Sequence, residues 1–168
     1  MTEKPPWEKS GPLPGERDFD PDAGDLDAQV AWKHFGGSTL SEAYQRFQED
    51  PEKHTEDFMY MGGKAFAYYF PVLERYLLVT PVWREENGVE WCQILGLGAA
   101  IQFQFTKETL PEVRELVSHV LQLISYVKES IKVHVASGHP YISNPEIQQH
   151  VIAEWDALEQ HLQQFEEQ

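Results

Sequence analysis

Cysteine is almost missing: Cys92 is the only one in 168 residues, which excludes an internal disulfide framework. Basic residues are also scarce. Thirteen Lys and Arg face 28 Asp and Glu, and the formal net charge is −15. Phosphate backbones and anionic membrane surfaces repel such a polyanion, and no basic patch interrupts it, so neither nucleic acid nor a membrane is expected as a partner. Long apolar runs are absent too. The stretch lowest in charge, Trp91 to Phe105, holds Gln93, Gln102, Gln104 and two glycines. It is too short and too polar to span a bilayer. Met1 to Gly15 has no basic segment followed by an apolar core, so no secretion signal is expected and the expected location is cytoplasmic.

The motifs of common chemistry are missing as well. No Gly-x-Ser-x-Gly elbow is present, and Cys92, beside Trp91 at the head of an apolar segment, reads as a buried structural thiol. Gly36-Gly37-Ser38 and Gly62-Gly63-Lys64 lack the spacing of a phosphate loop and read as helix ends. The carboxylates between Asp18 and Asp27 lack the glycine and closing Glu of a calcium loop. They lie in a polar segment and read as solvated, not as an acid–base pair. Among the seven histidines, His150, Glu154 and His161 share one region of a helix. His161 falls about two turns beyond Glu154, too far to share one ion with it. No metal, cofactor or catalytic residue is expected.

What is present suits a helical core. Apolar residues make up 41% of the chain, and five Trp, seven Tyr and nine Phe supply large side chains to bury. Residues 1–19 carry Pro5, Pro6, Pro12 and Pro14 and read as a flexible tail, with Trp7 or Phe19 able to pin it to the body. Residues 20–168 read as one domain. Its two ends are acidic: residues 137–168 hold six acids and no Lys or Arg.

Helix-start signals recur along this domain. Asp20-Pro21, Asp50-Pro51 and Asn144-Pro145 each place a capping side chain before a proline. Thr39-Leu40-Ser41-Glu42 and Thr109-Leu110-Pro111-Glu112 fit a capping box. The spacing predicts helices over about 21–34, with Leu26, Val30 and Ala31 on the inner face, and over 40–48 and 51–60, the last ended by a left-handed Gly62-Gly63 stop. An apolar helix over 64–79 is expected to kink or restart at Pro71. Residues 82–91 read as a small hairpin turning at Asn87-Gly88 or as a loop. Trp91 to Phe105 reads as a buried helix. A long helix follows over 110–135, and a last one over 145–165. Ile147, Val151, Trp155, Leu158, Leu162 and Phe165 form a heptad-like seam in that last helix. It packs on its own bundle or, in the sharper reading, pairs two chains. The fold class is all-α, an irregular bundle of five to seven helices.

Trp32-Lys33-His34-Phe35-Gly36-Gly37-Ser38-Thr39-Leu40-Ser41-Glu42-Ala43, then Asp57-Phe58-Met59-Tyr60-Met61-Gly62-Gly63-Lys64-Ala65-Phe66 and Tyr68-Tyr69-Phe70-Pro71, resemble small acidic bacterial helical proteins of unassigned function. Several of these are similar to immunity proteins, which neutralise a toxin delivered by neighbouring bacteria. The likeness covers residues 30–80 and brings no catalytic motif. It implies a non-enzymatic inhibitor of a toxin domain; the acidic charge suggests that this domain is basic, and the inhibitor is expected to be intracellular and monomeric or homodimeric. The expected contact residues are Asp22, Asp25, Asp27, Glu154, Asp156 and Glu159, with Tyr60 and Trp83 as aromatic anchors. Two other readings stand beside it. One is a small-molecule enzyme with a pocket among Tyr60, Tyr68, Tyr69, Trp83 and Trp91; the other is a structural oligomer joined through the 147–165 seam.

Overall fold

Local side-chain caps set where three of the helices begin, at Asp25, Thr39 and Asp50. The computed structural model describes Lys9, residues 11–136 and residues 145–166. A short α1 (Glu16–Phe19) leads to α2 (Leu26–Phe35), α3 (Leu40–Glu49), α4 (Pro51–Tyr60) and α5 (Gly63–Val79). A hairpin of β1 (Trp83–Glu86) and β2 (Val89–Cys92) comes next, then α6 (Leu97–Gln104), α7 (Leu110–Val113), a 3-10 turn Arg114–Leu116, α8 (Val117–Ala136) and α9 (Pro145–Glu166). Helix accounts for 72% of the described residues and strand for 5%. The chain is thus broadly all-α, with more helices than the five to seven expected.

Thr39 and Glu42 form the expected capping box on α3, and Asp50 caps α4 with Pro51 in its first turn. Asp20 does otherwise. It closes α1, and α2 starts only at Asp25, whose side chain accepts from the Ala28 amide. The capping box expected at Thr109 and Glu112 does not form. Thr109 Oγ1 instead donates to the Gln104 carbonyl at 2.5 Å. The long helix expected from residue 110 is accordingly broken into α7, the 3-10 turn and α8. Asn144, the expected cap of α9, lies outside the described residues.

α5 is the hub. It packs against α1, α3, α7 and α8, and Phe66, Tyr69, Phe70, Leu73, Tyr76 and Leu77 are all buried. A helix with so wide an apolar surface, leaving Lys64 and Arg75 exposed, packs into a core on several sides. Pro71 lies within it without a restart. Tyr69 donates its hydroxyl to the Ser38 carbonyl at 2.7 Å, and burial pushes its pKa well up. Tyr76 donates to the Gln93 carbonyl at 2.8 Å, and burial raises it to about 12. Gly62 is extended, not the left-handed stop expected. Glycine is needed there for another reason: a Cβ would collide with the Asp18 carbonyl oxygen where α1 meets the start of α5. That contact, with Phe19 fully buried, places α1 inside the segment the sequence assigns to the tail.

The inner face of α2 is Ala28, Ala31 and Phe35; Leu26 is 82% exposed, and Val30 is exposed as well. Trp155, Leu158, Leu162 and Val151 are fully buried as α9 packs on α6 and α8. The heptad-like seam is therefore consumed within the chain.

Asp20 provides a test of the α1–α2 corner. Its buried carboxylate accepts from Gln29 Nε2 at 2.7 Å and from the amides of Gly24 and Asp25 at 2.8 and 3.4 Å. The Gln29 hydrogen bond, helped by the two amides and by Arg17, outweighs burial and holds its pKa below the ordinary 3.8. A depressed carboxylate contributes stability above its unfolded value and loses it as pH falls through the folded one. Asp20→Asn is therefore expected to lower stability near neutrality. The gap to the wild type should narrow as pH falls below 3.8. Urea unfolding at the two extremes reads it, and a gap independent of pH would show that the charge does not matter.

Candidate functional site

A two-residue turn sets which way each hairpin side chain faces. Asn87 and Gly88 both take positive φ, 55° and 78°, the conformation that matches the twist of two antiparallel strands. The register then pairs Trp83 with Cys92, Arg84 with Trp91, Glu85 with Glu90 and Glu86 with Val89. Side chains alternate along a strand, so Trp83 and Trp91 must point to opposite faces. Trp83 points in, is 8% exposed, and stacks on His134 with ring centroids 5.6 Å apart. Beneath it, buried Glu90 meets His134 Nε2 at 2.9 Å. On the outer face Trp91 is 57% exposed and Val89 49%, beside Arg84 and Glu86, which pair at 2.8 Å. Glu85 is exposed too. The open indole thus presents a large apolar surface to solvent on the outer face of the hairpin.

The residues expected to meet a partner are dispersed among several tasks. Asp22 and Asp27 are exposed; Asp25 is also exposed but is held as the cap of α2. Glu154 lies against the start of α6, where its carboxylate accepts from Gly96 at 3.2 Å and Ala99 at 3.0 Å. Asp156 and Glu159 both pair with Lys128, at 2.6 and 3.3 Å, in an open groove of about 720 Å³ between α8 and α9. These two acceptors hold the Lys128 pKa above its ordinary value. Tyr60 is half-buried with its ring against Phe103. Trp83 is buried, and Trp91 is the exposed indole of the hairpin. The sequence held the signal: once Asn87-Gly88 is taken as the turn, parity assigns the two indoles to opposite faces.

The aromatic set suggested for an enzyme pocket does not converge. Among the described residues, only Tyr68 and Tyr69 of this set touch, with ring centroids 4.9 Å apart; Trp91 points outward, Trp83 lies on His134, Tyr69 is buried under carbonyls of the α2–α3 connection, and Tyr60 lies on Phe103. Cys92 is half-buried, and burial pushes its thiol pKa up, away from a reactive thiolate. The His150, Glu154 and His161 group is also split. His150 is exposed, Glu154 caps α6, and His161 Nε2 meets the Phe105 carbonyl at 2.6 Å.

One cluster suited to a metal was missed. His34, in the last turn of α2, and His54 and Asp57, one turn apart on α4, converge where these two helices pack. Asp57 Oδ2 accepts from Nδ1 of both imidazoles, at 2.8 Å for His34 and 2.7 Å for His54. His54-x-x-Asp57 is legible as an i, i+3 pair. His34, twenty-three residues from Asp57, joins only through tertiary packing.

No described helix is long and apolar enough to cross a membrane. No family model, curated protein or solved structure matches the chain.

Proposed function

We propose that this chain is a protein-binding module for a basic protein partner, of the immunity type that covers a toxin domain. The observation that carries the reading is Trp91, 57% exposed on the outer face of the hairpin with Val89 beside it, in a chain of net charge −15. An exposed indole within an acidic surface suits a partner offering an apolar slot rimmed by Lys and Arg. The charge has a separate role. It raises the rate of encounter, and Asp22 and Asp27 are exposed carboxylates placed to contribute to that field. The toxin-directed part rests only on the resemblance of residues 30–80 to small acidic bacterial proteins of unassigned function, several of which are similar to immunity proteins.

The two contributions separate in an experiment. Tagged full-length protein is incubated with native lysate at low and high salt, and a stoichiometric basic partner that releases with salt is purified. Trp91→Ala should then weaken its binding by about 2 kcal/mol, roughly thirty-fold, mainly through faster dissociation. Asp22→Lys with Asp27→Lys should slow association and flatten its salt dependence. Retrieval of no basic partner, or a partner that binds the Trp91→Ala chain unchanged, would set the reading aside.

A further inference from the structure

We propose that the α2–α4 junction is a binding site for one divalent first-row transition ion of the zinc class, held by His34 Nδ1, His54 Nδ1 and Asp57 Oδ2. The three donor atoms lie within 4.8 Å of one another. Two imidazole nitrogens and one carboxylate oxygen are the donors such ions prefer, and three protein ligands leave a position for water. Donors about 2.1 Å from a shared ion in the tetrahedral arrangement that zinc prefers lie about 3.4 Å apart. The 2.8 and 2.7 Å separations from Asp57 Oδ2 thus need to open by about 0.6–0.7 Å, with the two imidazole nitrogens, within 4.8 Å of each other, settling at the same spacing.

Electrostatics points the same way. The Asp57 carboxylate is 4% exposed, and a buried carboxylate needs a compensating positive group. Among the described residues its ion-pair partners are these two imidazoles and no Lys or Arg. The nearby Arg46 guanidinium is directed elsewhere, donating to the His34 carbonyl and to Ser38 Oγ. Binding requires each imidazole to present a lone pair at Nδ1, with its remaining proton on Nε2. Packing already fixes the rings: His54 lies edge-on to Phe35 at 5.0 Å and to His34 at 5.2 Å. The His34 side chain is 22% exposed and gives the ion a way in. A protonated imidazole would balance Asp57 without any metal, and the experiment separates these two states.

The full-length chain, stripped with a chelator and dialysed, is titrated with Zn2+ by calorimetry and with Co2+ by visible absorption. The expected result is one ion per chain and a higher unfolding midpoint with Zn2+ present. Replacing partners of metal ligands typically costs ~10–100-fold in affinity, so replacing a ligand in His34→Gln should cost at least ~10-fold. His150→Gln, at an exposed position, should bind as the wild type does. Should His54→Gln or Asp57→Asn fail to fold by circular dichroism, the partly exposed His34→Gln still decides. Failure of the wild type to take up an ion, or equal uptake by folded His34→Gln, overturns the proposal.

Discussion

Gln104→Leu is expected to lower the unfolding free energy by about 3 kcal/mol, although the two side chains are close in size. Gln104 is 3% exposed. Its carboxamide nitrogen donates to the carbonyls of Phe58 at 2.8 Å, Met61 at 2.7 Å and Met59 at 3.1 Å. These belong to the last turn of α4 and the residue that ends it, where carbonyls have no partner within the helix. Two amide protons shared among them satisfy a buried helix end. Leucine fills the space and donates nothing, and each buried acceptor left unpaired costs about 1–3 kcal/mol. Urea unfolding of the two proteins measures the difference. A loss under about 1 kcal/mol would mean that water or a shifted backbone satisfies these carbonyls.

Trp155→Ala should cost still more, about 3–5 kcal/mol, enough to remove a large share of the stability of an ordinary domain. The indole is fully buried, on the face that α9 turns toward α6 and α8. Gly98 of α6 lies opposite: a Cβ there would meet the indole in ordinary contact at 3.4 Å and press on Glu154 Cγ at 3.0 Å. Alanine leaves a cavity between three helices that cannot all collapse into it. Trp155→Phe should be much milder. It keeps an aromatic ring, and the indole N–H has no hydrogen-bond partner among the described residues, so little polar pairing is lost. Thermal unfolding of both variants reads the contrast. Equal losses would show that the N–H finds a partner after all.

The helical class was legible because its signals are local. Thr39 with Glu42, and Asp50 with Pro51, cap helices using atoms within one turn, and the spacing of Val151, Trp155, Leu158 and Leu162 repeats with the helix. The readings that missed depended on distant groups. Asp20 has the residue type of a cap, but Gln29 and the amides of Gly24 and Asp25 claim its carboxylate. Thr109 is drawn to the Gln104 carbonyl. Trp91 to Phe105 is apolar enough for a helix, yet its first two residues belong to a strand set by Asn87-Gly88, and α6 begins only at Leu97. The candidate site divides the same way. Asp22 and Asp27 are exposed as composition suggests, but which indole faces outward follows from strand register. The convergence of His34 on Asp57 follows from helix packing, which no spacing rule within a single element contains.

The capping of α6 by Glu154 has a consequence in time. The two amides at the start of α6 find their acceptor 58 and 55 residues further along the chain. Eight residues are too few for a helix to stand alone in water. A ribosome therefore releases α6 long before its acceptor exists, and the segment after the hairpin waits, incomplete, until α9 has been made and has docked. Helices α2, α3 and α4 instead carry their N-terminal caps within one turn of their own starts. The start of α6 is thus completed from far along the chain, whereas the starts of α2, α3 and α4 are completed from within their own segments.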